Sequence, residues 1–138
     1  MSRSGYTDEI VNEWEFICYR GAVNSAIRGK RGQQLLTEMA EALDAMPVKE
    51  LIADKLEHQG QYCALGTVGV KRNIDMSEID SYDQDSVSEA FNIAPSLAAE
   101  IAFINDEAKL YAEETPAQRW VRVRAWVERN IKKPVIKT

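Results

Sequence analysis

The chain has 138 residues, 45% of them hydrophobic, and a formal net charge of −5 at pH 7. This length suits one domain that buries its own core, and the composition excludes a disordered or low-complexity protein. Residues 1–9 contain no apolar leader, and no apolar run reaches the roughly 20 residues that a membrane span needs. We therefore expect a single cytoplasmic domain, residues 1–138, with no membrane partner.

Charge is distributed unevenly along the chain. Residues 75–115 hold one basic and eleven acidic side chains, whereas residues 116–138 hold seven basic and one acidic. Charges at this density must be solvated or paired. The basic C-terminal segment is therefore expected either to fold back on the acidic segment or to face a separate partner.

A first helix is predicted from about Asp8 to Arg28, because Thr7 supplies an N-cap oxygen and acidic residues follow it. Its inward face is expected to comprise the residues at helical spacing, namely Ile10, Val11, Trp14, Ile17, Cys18, Gly21, Ala22 and Ser25. The glycine-bearing stretch 29–32 is predicted to end this helix and to turn the chain.

A second helix is predicted from about Gln33 to Ala45, because Pro47 ends it. Its inward residues are expected to be Leu35, Leu36, Met39, Ala42, Leu43 and Met46. The following segment fits either a helix or a β-hairpin. We favour the hairpin, with strands at Leu51–Leu56 and Gln61–Ala64 and a turn at 57–60.

The uncharged run Tyr62–Val70 is predicted to be the part of the chain that the helices enclose. Gly66 and Gly69 are expected to mark tight packing against a neighbour, because glycine costs about 1 kcal/mol inside a helix relative to alanine. A short helix is expected to reach Arg72. Cys18 and Cys63 are expected to be reduced thiols in apolar surroundings.

The second half of the chain is predicted to be helical between polar loops. The predicted elements are a loop at 73–84, helices at Asp85–Phe91 and Pro95–Asn105, an acidic loop at 106–114, and a last helix at Pro116–Lys132. The tail from Pro134 is expected to fray. Together these elements predict a mainly α fold, a single compact domain of about five or six helices with one small β-hairpin.

Several short motifs give the sequence a family likeness. They are Ser2–Tyr6, Ile27–Gly32, Cys63–Gly66, Asn105–Glu107, Thr115 with Pro116 and Arg119, and Arg124–Trp126. In these motifs the chain resembles a group of uncharacterised small proteins encoded by phages and prophages of proteobacteria. The likeness spans nearly the whole chain and implies an accessory role inside a bacterial host cell. It implies no catalytic residues.

On the last helix, one stripe is predicted to pack in the core and the neighbouring stripe to bind a partner. The core stripe is Trp120, Val123, Val127 and Ile131, and the partner stripe is Arg119, Arg122, Trp126 and Arg129. Arginine and tryptophan are the residues most enriched at binding hot spots. A host protein is the partner that we expect, bound through this stripe or through the acidic loops.

Two alternatives come from other residues. Arg28, Lys30 and Arg31 could contact phosphates of a nucleic acid, aided by the basic C-terminal helix. Cys63 could act as a nucleophile, with His58 as base and Asn105 or Asp106 orienting it, which would make the protein a cysteine-dependent enzyme. The paired ligand spacings of zinc and calcium sites are missing, so no metal and no cofactor are expected. The oligomeric state is left open.

Overall fold

The computed structural model describes residues 2–6 and 13–133. In these residues a single compact, mainly helical domain is formed by six α-helices and one two-stranded antiparallel sheet. The helices are α1 (Glu13–Arg28), α2 (Lys30–Ala45), α3 (Ala64–Lys71), α4 (Gln84–Phe91), α5 (Pro95–Asp106) and α6 (Pro116–Asn130). The strands are β1 (Glu57–His58) and β2 (Gln61–Tyr62), and a short 3₁₀ turn spans Met76–Glu78. The predicted fold class is confirmed.

The inward face predicted for α1 is wrong. Val23 and Ile27 are buried, whereas Trp14 is 72% exposed and Cys18 is also exposed. The opposite face packs inward, and Arg20 beside it pairs with a buried carboxylate of α5, Glu100. The predicted N-cap Thr7 and the apolar residues 10 and 11 lie outside the described residues.

The break between α1 and α2 is shorter than predicted. Only Gly29 separates the two helices, and it has an ordinary extended backbone with φ −68°. Gly32 lies inside α2, where a Cβ atom would stand 2.0 Å from the carbonyl oxygen of Ala26. Gly32 is therefore required for close packing between the helices, and not for a turn. The central predicted core residues of α2 are confirmed as fully buried, namely Leu35, Leu36, Met39 and Leu43.

The central uncharged run is enclosed as predicted. All residues from Cys63 to Gly69 are buried, and most of them form α3. A hairpin forms and not a helix, but the predicted first strand, Leu51–Leu56, is wrong: that segment is irregular, and β1 lies within the predicted turn, with Glu57 opposite Tyr62. Gly66 lets α3 pack directly on the preceding chain, because a Cβ atom there would lie 2.0 Å from the Leu56 carbonyl oxygen.

The C-terminal helices begin and end close to their predicted residues. Asp83 caps α4, and Thr115 and Gln118 form a reciprocal capping box at the start of α6. Val123 and Val127 are buried in the core, as predicted. Asp106 is the last residue of α5 and not the first of a loop. The predicted frayed tail from residue 134 lies outside the described residues.

Within residues 2–6 and 13–133, no single helix is long and apolar enough to cross a membrane. Only α4 and α5 taken together have the length and composition, across a bend of 104°.

Candidate functional site

Three of the short sequence motifs, Ser2–Tyr6, Cys63–Gly66 and Asn105–Glu107, meet in a buried polar network. Asn105, at the end of α5, is 1% exposed and accepts a hydrogen bond from the amide of Ala64 at 3.0 Å. Its amide group donates to the Ile52 carbonyl at 2.9 Å and to Asp106 Oδ1 at 2.8 Å. One side chain therefore joins the start of α3, the end of α5 and the irregular segment before the hairpin.

The N-terminal segment is held on this network by a buried ion pair. Arg3 donates through Nε and Nη2 to the two carboxylate oxygens of Asp106, at 2.7 and 2.8 Å. The exposed fractions of the two side chains are 3% and 4%. Ser4 Oγ donates to Glu107 at 2.5 Å. Charge pairing with good geometry is what permits two charges to be buried here.

A second buried carboxylate holds α1 on α5. Glu100 receives hydrogen bonds from Arg20 at 2.8 and 3.0 Å and from the Tyr6 hydroxyl at 2.5 Å. Burial, and then the bond to Glu100, raise the pKa of the Tyr6 phenol above its ordinary value. Tyr6 therefore remains a neutral donor throughout the physiological range.

The predicted partner stripe on α6 has an internal role instead. Arg122 donates to Glu114 at 2.6 Å and to the carbonyl groups of Ile104 and Asn105. The hydrogen bond from Arg122 holds the pKa of the Glu114 carboxyl below its usual range. These bonds occupy the guanidinium group, so Arg122 is not free to bind another molecule.

The other members of that stripe are placed similarly, with one exception. Arg119 donates to the Leu51 carbonyl at 2.8 Å and pairs with Glu114. Trp126 is 8% exposed and packs in the core, and only Arg129 is exposed. The expectation that this stripe forms an exposed surface is therefore corrected. Arg119 and Arg122 fasten α6 to the end of α5 and to the neighbouring irregular segments.

Cys63 lies at the N-terminus of α3 but is closed off from solvent. Its sulfur accepts from the Gly66 amide at 3.4 Å and from Arg3 Nη1 at 3.7 Å, and the residue is 1% exposed. Asn105 and Asp106 lie close by, as the catalytic hypothesis requires. His58, however, is exposed on β1, and no hydrogen bond joins it to Cys63 in the part of the chain that the structure describes.

Titration of the native protein with a thiol reagent, at low protein concentration, is expected to modify Cys18 and to leave Cys63 unmodified until unfolding. Cys18 is exposed, whereas Cys63 is buried beneath the N-terminal segment. A reagent reaches only an accessible thiolate. The absorbance of the released thiol group gives the number of reactive sites, and Cys18→Ser should remove the fast reaction. Faster reaction at Cys63 than at Cys18 would instead support the enzyme alternative.

The basic residues at the junction of α1 and α2 do lie together. Arg28 and Lys30 are exposed, and Arg31 is exposed while donating to Asn92 at 3.2 Å. The N-terminus of α2 has no side-chain cap for its first amide groups, and Lys30 and Arg31 are the first two residues of the helix. Cations and helix amides together can bind an anion.

The acidic segment is partly neutralised inside the molecule. Glu100, Asp106 and Glu114 pair with arginines from three other parts of the chain. Asp75 and Asp83 cap helical turns. The basic C-terminal helix thus folds back on part of the acidic segment, as one of the two expectations has it. Among the described residues, no group of three or more His, Cys, Asp or Glu side chains is placed to hold a metal ion.

An open apolar groove is the feature that the sequence did not reveal. It has a volume of about 580 Å³ and lies between the end of α2, the segment 46–52, the hairpin and the end of α3. Its apolar lining includes Met46, Val48, Ile52, Tyr62, Val70 and Pro116. A more polar cleft of about 690 Å³ lies beside Tyr6 and Glu15, which flank the undescribed residues 7–12.

The walls of the groove are held by backbone hydrogen bonds. The Leu51 amide donates to the Pro116 carbonyl at 3.1 Å, and the Ile52 amide donates to the Tyr62 carbonyl at 3.0 Å. The rim carries an ion pair between Lys71 and Glu41, at 2.9 Å. A segment without regular structure is therefore fixed on both sides, and the groove is formed before any ligand arrives.

Comparison with protein-family models, curated proteins and solved structures finds no match to this chain. The function is therefore inferred from the geometry of the surfaces described above.

Proposed function

We propose that the protein is a phage or prophage accessory protein that acts by binding a host protein, without catalysis, and that the apolar groove is the contact. The observation that supports this is an open, preformed groove of about 580 Å³. Val48 and Val70 stand at its mouth and are 60% and 49% exposed. Clustered exposed apolar side chains beside a concave site are typical of binding surfaces.

The groove suits a short apolar segment of a partner more than a charged one. Most of its lining side chains are apolar, and the charged lining residues, Glu41, Glu50 and Lys71, are all exposed. Two or three apolar anchors at helical or strand spacing fill such a groove. The rim charges then set orientation and register and add little to the affinity.

Replacing Val70 or Val48 with arginine is expected to reduce capture of the host partner by about tenfold or more. Each substitution places a long charged side chain in the apolar contact, where burial of an unpaired charge is costly. Both positions are exposed in the free protein, so the fold is expected to tolerate the change. The measurement is affinity capture from a bacterial lysate with quantitative mass spectrometry of the bound proteins.

The matched control is Val121→Arg. Val121 is an exposed valine on α6, and it does not line the groove. Wild type and this control should capture the same proteins in the same amounts, while the groove variants lose them. Equal capture by all four proteins would place the contact elsewhere, and far-UV circular dichroism confirms that each variant is folded.

A nucleic-acid-binding function through Arg28, Lys30 and Arg31 is the second candidate. The uncapped N-terminus of α2 beside these exposed cations supports it. The basic C-terminal helix adds little, because Arg119, Arg122 and Arg124 are all paired with carboxylates of this chain. Retention on DNA or RNA that weakens steeply with added salt would favour this candidate over groove binding.

A further inference from the structure

The outward face of α1 exposes large apolar side chains in its N-terminal half. Trp14 is 72% exposed and Ile17 is 54% exposed, and the exposed Cys18, Gly21 and Ser25 continue the same stripe toward Arg28. These residues recur at intervals of three and four, which places them on one side of a helix. The buried residues Val23 and Ile27 lie on the other side.

The stripe is arranged symmetrically about Gly21. Trp14 and Arg28 each lie seven residues from it, one toward each end of the helix. The N-terminal half of the stripe is bulky and carries the carboxylate of Glu13, while the C-terminal half is small and ends in a cation. Space above Gly21 is open, with no atom within 4 Å of a Cβ atom built there.

We propose that two copies of this chain associate through α1, antiparallel, with a two-fold axis at Gly21. In this arrangement Trp14 of each copy lies against Arg28 of the other, a pair that cation–π attraction favours. Glu13 lies on the same side of the contact as Arg28 of the other copy, so a carboxylate faces a guanidinium group. Ile17 packs over the small residues around Gly21, where the absence of a side chain lets the helices approach closely.

A second copy fits this face because the face is complementary to itself in shape and charge. Two-fold contacts use the same patch on both subunits, so a bulky half must meet a small half, and an acidic end must meet a basic end. A standard interface buries roughly 800 Å² per partner, and a contact through one helix face is small by comparison. We therefore expect a weak dimer that dissociates on dilution. No residue of α1 lines the apolar groove, so the two surfaces are independent.

Gly21→Cys in a Cys18→Ser background tests the two-fold axis. Residue 21 of both copies meets at the axis, within the Cα separation of about 4.4–6.8 Å that a disulfide needs. Residues 18 of the two copies are displaced by about 9 Å along the helices, given the rise of about 1.5 Å per residue. Under mild oxidation, most of the Gly21→Cys protein is expected to run as a covalent dimer, and wild type with its Cys18 is not.

Two results would overturn the proposal. One is the absence of the covalent dimer in folded Gly21→Cys protein, and the other is an equal yield of dimer through Cys18, which indicates a parallel or random contact. Sedimentation equilibrium gives a second measurement without cysteines. Trp14→Lys should raise the dimer dissociation constant about tenfold or more. Leu110→Lys, which changes an exposed residue away from α1, should leave it unchanged, and a monomer at every concentration in wild type contradicts the dimer.

Discussion

Asp106→Ala is expected to lower the free energy of unfolding by about 3 kcal/mol. The change leaves the buried Arg3 guanidinium without its carboxylate, and breaking a buried pair from one side costs about 3–5 kcal/mol. Asp106 also accepts hydrogen bonds from the Asp54 amide and from Asn105. The N-terminal segment that carries Arg3 can be released in the variant, which limits the loss of unfolding free energy. We therefore expect a loss at the lower end of this range. Urea denaturation followed by circular dichroism measures it.

Asp44→Ala is the matched control for that experiment. Asp44 also receives two hydrogen bonds from one arginine, Arg124, at 2.8 and 3.0 Å. Its side chain is 54% exposed, however, and exposed pairs contribute less than about 1 kcal/mol. Equal losses from Asp44→Ala and Asp106→Ala would contradict the role assigned to burial.

Gly66→Ala is expected to destabilise the protein by about 3 kcal/mol or more. The added methyl group would lie 2.0 Å from the carbonyl oxygen of Leu56 and 3.0 Å from its carbon. The carbonyl cannot move away easily, because it accepts the amide hydrogen of Cys63 at 3.2 Å. Overpacking against a fixed backbone is costly, and α3 must shift away from the segment at Leu56 on which it packs. Thermal and urea denaturation give the loss.

Gly21→Ala makes the same substitution in the middle of a helix. It is expected to raise the free energy of unfolding, the opposite of the effect of Gly66→Ala. Nothing lies within 4 Å of the added methyl group. Alanine favours a helix over glycine by about 0.5–1 kcal/mol, so the variant should be slightly more stable. A stabilising effect of Gly66→Ala would show that the packing around α3 differs from that described, and a large loss at Gly21 would show that the space above α1 is filled.

The features that the sequence predicted well depend on local chemistry. Thr115, Pro116 and Gln118 define the start of α6 without reference to the rest of the fold, because a capping box satisfies amides within its own turn. The enclosed position of the Tyr62–Val70 run follows from its lack of charge. Burying a stretch that carries charges would require partners for its charged side chains.

The side of α1 that packs inward could not be predicted from the apolar pattern of this helix. Both sides of this helix carry apolar residues, and the side that packs inward is the one where Val23 and Ile27 are buried and Arg20 meets its distant partner Glu100. Amphipathic reasoning places polar residues outside, and it has no means of identifying a carboxylate 80 residues away. The exposed apolar face of α1 results from this choice.

The exposure of the α6 stripe was predicted wrongly for the same reason. Arg119 and Arg122 both meet Glu114, and they also donate to a carbonyl group of the irregular segment before the hairpin and to two at the end of α5. The pattern of α6 alone does not show that these separate segments meet it. Residue types typical of binding surfaces are equally suited to fastening a helix within a chain. The groove was missed because its walls come from four separate segments. The one sequence signal for the groove was Val48, an apolar residue directly after Pro47. The structure shows that this residue is exposed.

Site-specific photo-crosslinking in bacterial cells tests most directly whether the groove is the contact with a host protein. A photoreactive phenylalanine analogue at position 48, at the mouth of the groove, is expected to form a discrete adduct with one host protein, and Val70→Arg should abolish the adduct. The same analogue at position 121, on the outer side of α6, should form none. An adduct from position 121 with none from position 48 would contradict the account.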